Sequence, residues 1–246
     1  MAIRSVVGFR RGFAAPFSAI GGLLREPRAW PFALVPAVAF VLLEVGFVLG
    51  SWRFLKPSVN QLLAGGGALQ NVGAALVSWL AVLLVAALGW LVSALLAPIV
   101  SAPALERIVG IVEQELRAPA RAKLGFFAEL WCGLRAMFLS LAVTVPLLAL
   151  LTVLELFVPP LAVVTTPLKL LLGALGVAWG LFDYPLTLRG VGARERLAFI
   201  GRHFAAVLGF GVAFSLVFWL PCFGILMLPV GVAAATRLYW EIERAG

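Results

Sequence analysis

Apolar residues in this chain gather into four long runs, residues 31–50, 73–100, 136–182 and 204–236, separated by arginine-rich stretches. The second and fourth runs contain no Asp, Glu, Lys, Arg or His. A helix on a water-soluble core keeps a polar face, which these runs lack. About 20 apolar residues rising ~1.5 Å each span the ~30 Å hydrocarbon layer of a bilayer. The pattern predicts an all-α, polytopic membrane protein in one integral domain over residues 1–246. Runs 31–50 and 73–100 predict two long transmembrane helices. Trp30 and Trp52 bracket the first about 33 Å apart, the spacing of an interfacial aromatic belt.

Between the runs the periodicity changes. Phe9, Phe13 and Phe17 recur at four-residue spacing among arginines, so residues 1–30 predict a basic helix in the membrane surface rather than a signal peptide. Leu105, Ile108, Val109, Val112 and Leu116 form an apolar stripe, with Glu106, Arg107, Glu113 and Glu115 beside it. Residues 104–135 therefore predict a cytoplasmic amphipathic segment.

Charge sets the orientation, because Lys and Arg favour cytoplasmic loops. All of the 19 basic residues except Arg53, Lys56 and Lys169 fall on one side if both termini are cytoplasmic. The chain must then leave and return within residues 204–236, fewer than the roughly 40 that two crossings take. Leu220-Pro221-Cys222-Phe223-Gly224 supplies a break near the middle. A re-entrant hairpin follows, and its turn needs protein packed around it, in an oligomer or against the long helices. Residues 136–182 flank Pro159-Pro160 and leave two readings open, two crossings or a second partly penetrating hairpin.

Composition narrows the function classes. The net charge of +8 sits beside apolar runs rather than in a basic module, which points to topology and anionic lipid and away from nucleic acid. Cys132 and Cys222 fit neither a disulfide framework nor a metal-ligand spacing. No hydrolase, metalloprotease or phosphate-loop motif is present, and Asp183 is the single aspartate. Neither catalysis nor a cofactor is expected.

The charged residues near the runs are the candidate sites. Arg25 and Arg28, three apart before the first span, read either as a guanidinium pair for a small anion at a helix start or as a topology signal touching lipid phosphates. Glu44 lies inside the first span; it lines a polar path, pairs with Lys169 or Arg53, or reaches the outer interface. Glu155 and Lys169 flank the double proline and predict an ion pair across its turn. Asp183 is expected to cap a helix or pair with Arg189 or Arg194. His203, the lone histidine, reads as structural. Gly176 and Gly180 share one face and predict a close helix contact.

Several segments together carry a resemblance: the basic N-terminal helix leading to Pro27, with Pro36 in the first span; Ala97-Pro98 followed by Glu113-Gln114-Glu115; Asp183-Tyr184-Pro185; and Pro229-Val230 with Ala235-Thr236. In this order the chain resembles the CysZ family of bacterial sulfate permeases and, more distantly, the etoposide-induced protein 2.4 family. The resemblance implies two long transmembrane helices, two partly penetrating (re-entrant) helical hairpins and a homo-oligomer in the bacterial inner membrane. It implies a permease or channel-like protein for a small inorganic anion such as sulfate. A non-transporting scaffold that binds lipid or a partner is the alternative. The family's anion-binding Gly-Leu-Arg after the early proline is replaced here by Arg28-Ala29-Trp30.

Overall fold

A computed structural model describes residues 2–63, 67–120, 126–218 and 223–245. Every regular element among them is helical: α1 (Ala2–Arg25), α2 (Trp30–Gly50), α3 (Lys56–Leu63), α4 (Ala68–Val100), α5 (Ala102–Glu115), α6 (Phe126–Phe157), α7 (Ala162–Leu188), α8 (Ala193–Arg202), α9 (Phe204–Phe218) and α10 (Phe223–Ala245). Short 3-10 turns at Pro27–Ala29 and Pro159–Leu161 and a π-turn at Ser51–Leu55 link some of them. Five spans among the described residues are long and apolar enough to cross a membrane. The break expected around Pro221 and Cys222 lies outside the described residues, as does the Cys132 side chain. The chain divides into two compact units, Leu34–Pro103 and Met1–Ala33 with Ala104–Gly246.

The smaller unit is the hairpin of α2 and α4. Its first arm overruns the expected 31–50 and stays helical from Pro27 to Leu63. The π-turn precedes Pro57, whose missing N–H frees a carbonyl one turn back, and a wider helical turn absorbs the defect. Trp52 packs edge-on against Trp79 at 5.2 Å between ring centroids. The Lys56 ammonium caps both rings at 3.9 and 4.0 Å. Further along, Phe40 meets Trp90 at 6.5 Å, and Phe47 lies so close to Gly89 that a Cβ there would come within 2.7 Å of it. Leu42, Leu49, Leu80, Leu83, Leu84 and Leu95 turn outward, which suits a hydrocarbon solvent.

In the larger unit, α1, α7, α9 and α10 pack together, with α5 and α8 at one end. Small residues set the spacing. The buried stripe of α1 is Gly12, Pro16 and Ala19, not the phenylalanines; Phe9, Phe13 and Phe17 stack beside it, and Phe17 is 57% exposed. A Cβ on Gly12 would stand 1.9 Å from the Ala206 carbonyl oxygen of α9, and one on Gly209 would stand 2.3 Å from that of Phe9. Gly176 and Gly180 do not make the close contact expected of them, since a Cβ at either meets nothing within 4 Å. The tight approach to α7 is made from α9, where Gly211 faces the Ala174 carbonyl. Phe182, Phe210 and Phe214 fill the gaps with ring contacts of 5.1 and 5.0 Å.

The amphipathic stripe of α5 is buried at Leu105, Ile108, Val109 and Val112. The helix ends at Glu115. Ala118 N–H bonds the Glu113 carbonyl at 2.9 Å and Arg117 N–H bonds that of Gln114 at 3.0 Å, with Arg117 at φ 51°. This is a Schellman ending with arginine where glycine is usual. The last ten residues of the expected segment 104–135, 126–135, open the 32-residue α6. None of the apolar window Phe138–Phe157 in α6 is buried within the chain.

Candidate functional site

The charged groups of the larger unit fall into three constellations. The first is the α1–α2 junction. Glu26, at φ −110° and ψ 89°, breaks the helix. Pro27 cannot continue it, so Arg25 and Arg28 lie on opposite sides of a break rather than on one helical face. Trp30 Nε1 donates to the Leu23 carbonyl at 3.1 Å and pins the start of α2 to the end of α1. Both arginines are exposed, and among the described residues neither forms an ion pair, with Glu26 or any other carboxylate.

The second constellation surrounds the C-terminus of α5, whose exposed carbonyls and dipole favour cations. Three arginines converge there. Gly190, at φ 66°, ends α7 in a second Schellman turn, with Val191 N–H on the Leu186 carbonyl at 3.0 Å. That turn aims the preceding Arg189 at α5. Its Nε donates to Glu113 Oε1 at 2.9 Å, its Nη2 to the Pro119 carbonyl at 3.1 Å, and its guanidinium lies 4.1 Å over the Trp240 ring. Arg237 Nη2 donates to Glu115 Oε2 at 2.5 Å, and Arg244 Nη2 donates to the Leu116 carbonyl. Glu113-Gln114-Glu115 was visible in the sequence as an acidic helix end. Which arginines would reach it was not.

The third joins α7 to α8. Arg196 is 1% exposed and donates through Nη1 to Asp183 Oδ1, through Nη2 to Thr187 Oγ1 at 2.9 Å and through Nε to the Val191 carbonyl at 2.9 Å. The partner of Asp183 is thus Arg196, not Arg189 or Arg194. Glu195 accepts from the Gly192 N–H at 3.2 Å and starts α8 in a register that turns Arg196 inward and Arg194 outward. His203 closes α8 through its N–H to Phe199 at 3.0 Å, at a 92° bend into α9.

The remaining candidates stand apart from these groups. Lys169 bonds Glu155 across the Pro159–Leu161 turn, with Thr166 also donating to Glu155 at 3.4 Å. Lys169 is therefore committed to Glu155 rather than to Glu44. In the smaller unit, Glu44 Oε2 is buried without a hydrogen-bond partner among the described residues, and so is Ser93 Oγ. Replacing Glu44 by leucine is expected to raise stability in detergent by about 1–2 kcal/mol, because an unsatisfied buried acceptor is removed. A lower melting temperature in Glu44→Leu would show that the carboxylate holds a partner. No group of three or more His, Cys, Asp or Glu suited to a metal occurs among the described residues.

The chain is similar in sequence to known proteins. Residues 15–229 match the family described as sulfate transporter CysZ/etoposide-induced protein 2.4. A protein of Pseudomonas paraeruginosa named sulfate transporter CysZ is 31% identical over 238 residues, covering 90% of this chain and 91% of the relative. Its namesake in Pseudomonas aeruginosa is 30% identical over 242 residues, covering 91% and 93%. One in Pseudomonas fluorescens is 29% identical over 238 residues, with 90% of each covered. With a match that runs from within α1 into α10, and relatives aligned along nearly their whole length, this chain belongs to the sulfate transporter CysZ/etoposide-induced protein 2.4 family.

Proposed function

We propose that the protein carries a small inorganic anion, sulfate, across a bacterial inner membrane, and that Arg25 and Arg28 meet the anion at the cytoplasmic side. The observation that carries this reading is the pair of exposed guanidinium groups at the helix break, without a carboxylate partner among the described residues, on a chain whose bacterial relatives are named sulfate transporters. A guanidinium without a carboxylate partner keeps its full donor set for an oxyanion. Such a group at a helix start adds to the favourable dipole of α2.

The proposed topology has both termini cytoplasmic and α2 and α4 as complete crossings. The α6–α7 and α9–α10 hairpins each leave and return to the cytoplasmic side. Residues 204–236 are fewer than the roughly 40 that two complete crossings take, which supports partial penetration for that pair. The α6 arm, 32 residues and about 48 Å long, exceeds the layer. Its uncovered apolar face fits lipid or a second copy in a homo-oligomer.

Radiolabelled sulfate uptake into proteoliposomes tests the proposal. The wild type should exceed empty vesicles, and Arg25→Ala/Arg28→Ala should lose roughly tenfold per guanidinium removed. Wild-type uptake no higher than that of empty vesicles would remove the transport reading. If the double variant transports normally but binds phosphatidylglycerol vesicles less tightly, the two arginines contact lipid phosphates instead.

A further inference from the structure

Arg237 lies between α1, α5 and α10 in an arrangement that its pairing with Glu115 does not explain. Its guanidinium rests on Gly22 of α1, where a Cβ would stand 2.4 Å from Nη2 and 2.8 Å from Cζ. The absence of a side chain at Gly22 is what gives the guanidinium its place. Nη2 donates to Glu115, but Nε is buried with no partner among the described residues. A buried, unsatisfied N–H on a charged group is costly, so its persistence calls for a reason. Nε and Nη2 form the side-on fork of the guanidinium, two parallel donors matched to two oxygens of one acceptor. Glu115 engages one prong only. It is also 45% exposed at the end of α5, so little holds it in place. Arg25 follows Gly22 by three residues on α1, less than one turn and about 4.5 Å along the axis.

We infer that Arg237 is an anion-coordinating residue whose Nε–Nη2 fork takes two oxygens of a tetrahedral oxyanion, and that the Glu115 carboxylate occupies the fork when the anion is absent. This deepens the proposed function and rests on it, since Gly22, where the fork is seated, precedes Arg25 by three residues on α1. Two-oxygen recognition favours sulfate-like anions over halides, because the oxygen spacing of a tetrahedral oxyanion gives each of the two parallel N–H groups its own acceptor. Anion binding displaces Glu115 to solvent and satisfies Nε at the same time.

The test measures sulfate uptake in proteoliposomes and equilibrium binding of labelled sulfate to the full-length protein in detergent. Arg237→Lys keeps the charge and loses the fork, and its affinity should fall about tenfold. Glu115→Gln removes the competing charge, and its affinity should rise about threefold. Gly22→Ala pushes the guanidinium off its seat and should weaken binding in the same direction as Arg237→Lys, which covers the case of a poorly folding Arg237 variant. Excess chloride should not displace sulfate. A purely structural ion pair would instead shift Arg237→Lys and Glu115→Gln in the same direction. That result, or unchanged affinity in Arg237→Lys and Gly22→Ala, overturns the inference while wild-type transport stands. A wild type that neither binds nor moves sulfate overturns the function reading itself.

Discussion

Asp183→Leu should be among the most damaging single changes in this chain, lowering stability by about 3 kcal/mol or more. Asp183 is the carboxylate that meets Arg196, and Arg196 is 1% exposed in the wedge between α7 and α8. Removing the acid leaves a guanidinium shut away from water beside the neutral acceptors Thr187 and Val191. Uncompensated burial of a charge costs far more than the pair contributes when intact. The double variant Asp183→Leu/Arg196→Met should therefore recover much of the loss, since no ion then remains buried. Thermal unfolding of the four proteins in one detergent, followed by size-exclusion recovery, gives the cycle. Equal losses in the single and double variants would show that Arg196 finds its counter-charge elsewhere.

The second large effect is expected at the α1–α9 crossing. Gly12→Ala places a methyl 1.9 Å from the Ala206 carbonyl oxygen and 2.8 Å from its carbon. These are backbone atoms that no rotamer change can move. The helices must separate, and the loss should be about 2–3 kcal/mol. Gly209→Ala meets the reciprocal obstacle at Phe9 and should cost a similar amount. Once one methyl has forced the helices apart the second finds room, so the double variant should lose less than the sum. Gly176→Ala and Gly180→Ala serve as controls, because open space surrounds both and helix propensity alone should raise stability by about 0.5–1 kcal/mol. Loss at Gly176 comparable to that at Gly12 would count against this packing.

These two sites show where a reading of residues succeeds and where it stops. The stripe Leu105, Ile108, Val109 and Val112 could be named in advance because burial on an amphipathic helix follows its own 3.6-residue period. The turn at Pro159-Pro160 and the Glu155–Lys169 pair beside it were accessible for the same local reason. The partner of Asp183 was not. Arg189, Arg194 and Arg196 all stand within reach in sequence, and the choice depends on how α8 rolls against α7 after the Gly190 turn. The glycines repeat the lesson: Gly176 and Gly180 have the more recognisable spacing, yet Gly12, Gly209 and Gly211 carry the close approaches. Spacing identifies a smooth helix face but not the helix that will use it.

Taken alone, the order of residues decided the solvent of this protein, its helical class and the segments that carry its charge. Those properties follow from hydrophobicity summed along a single segment, whatever its neighbours do. Tertiary structure alone decided that Arg189, Arg237 and Arg244 gather at the end of α5, that Arg196 is buried with Asp183, and that Gly22 makes room for a guanidinium. Each of these depends on contacts among helices distant in the chain. Electrostatic partners at such contacts are chosen by short-range geometry that no single helix contains.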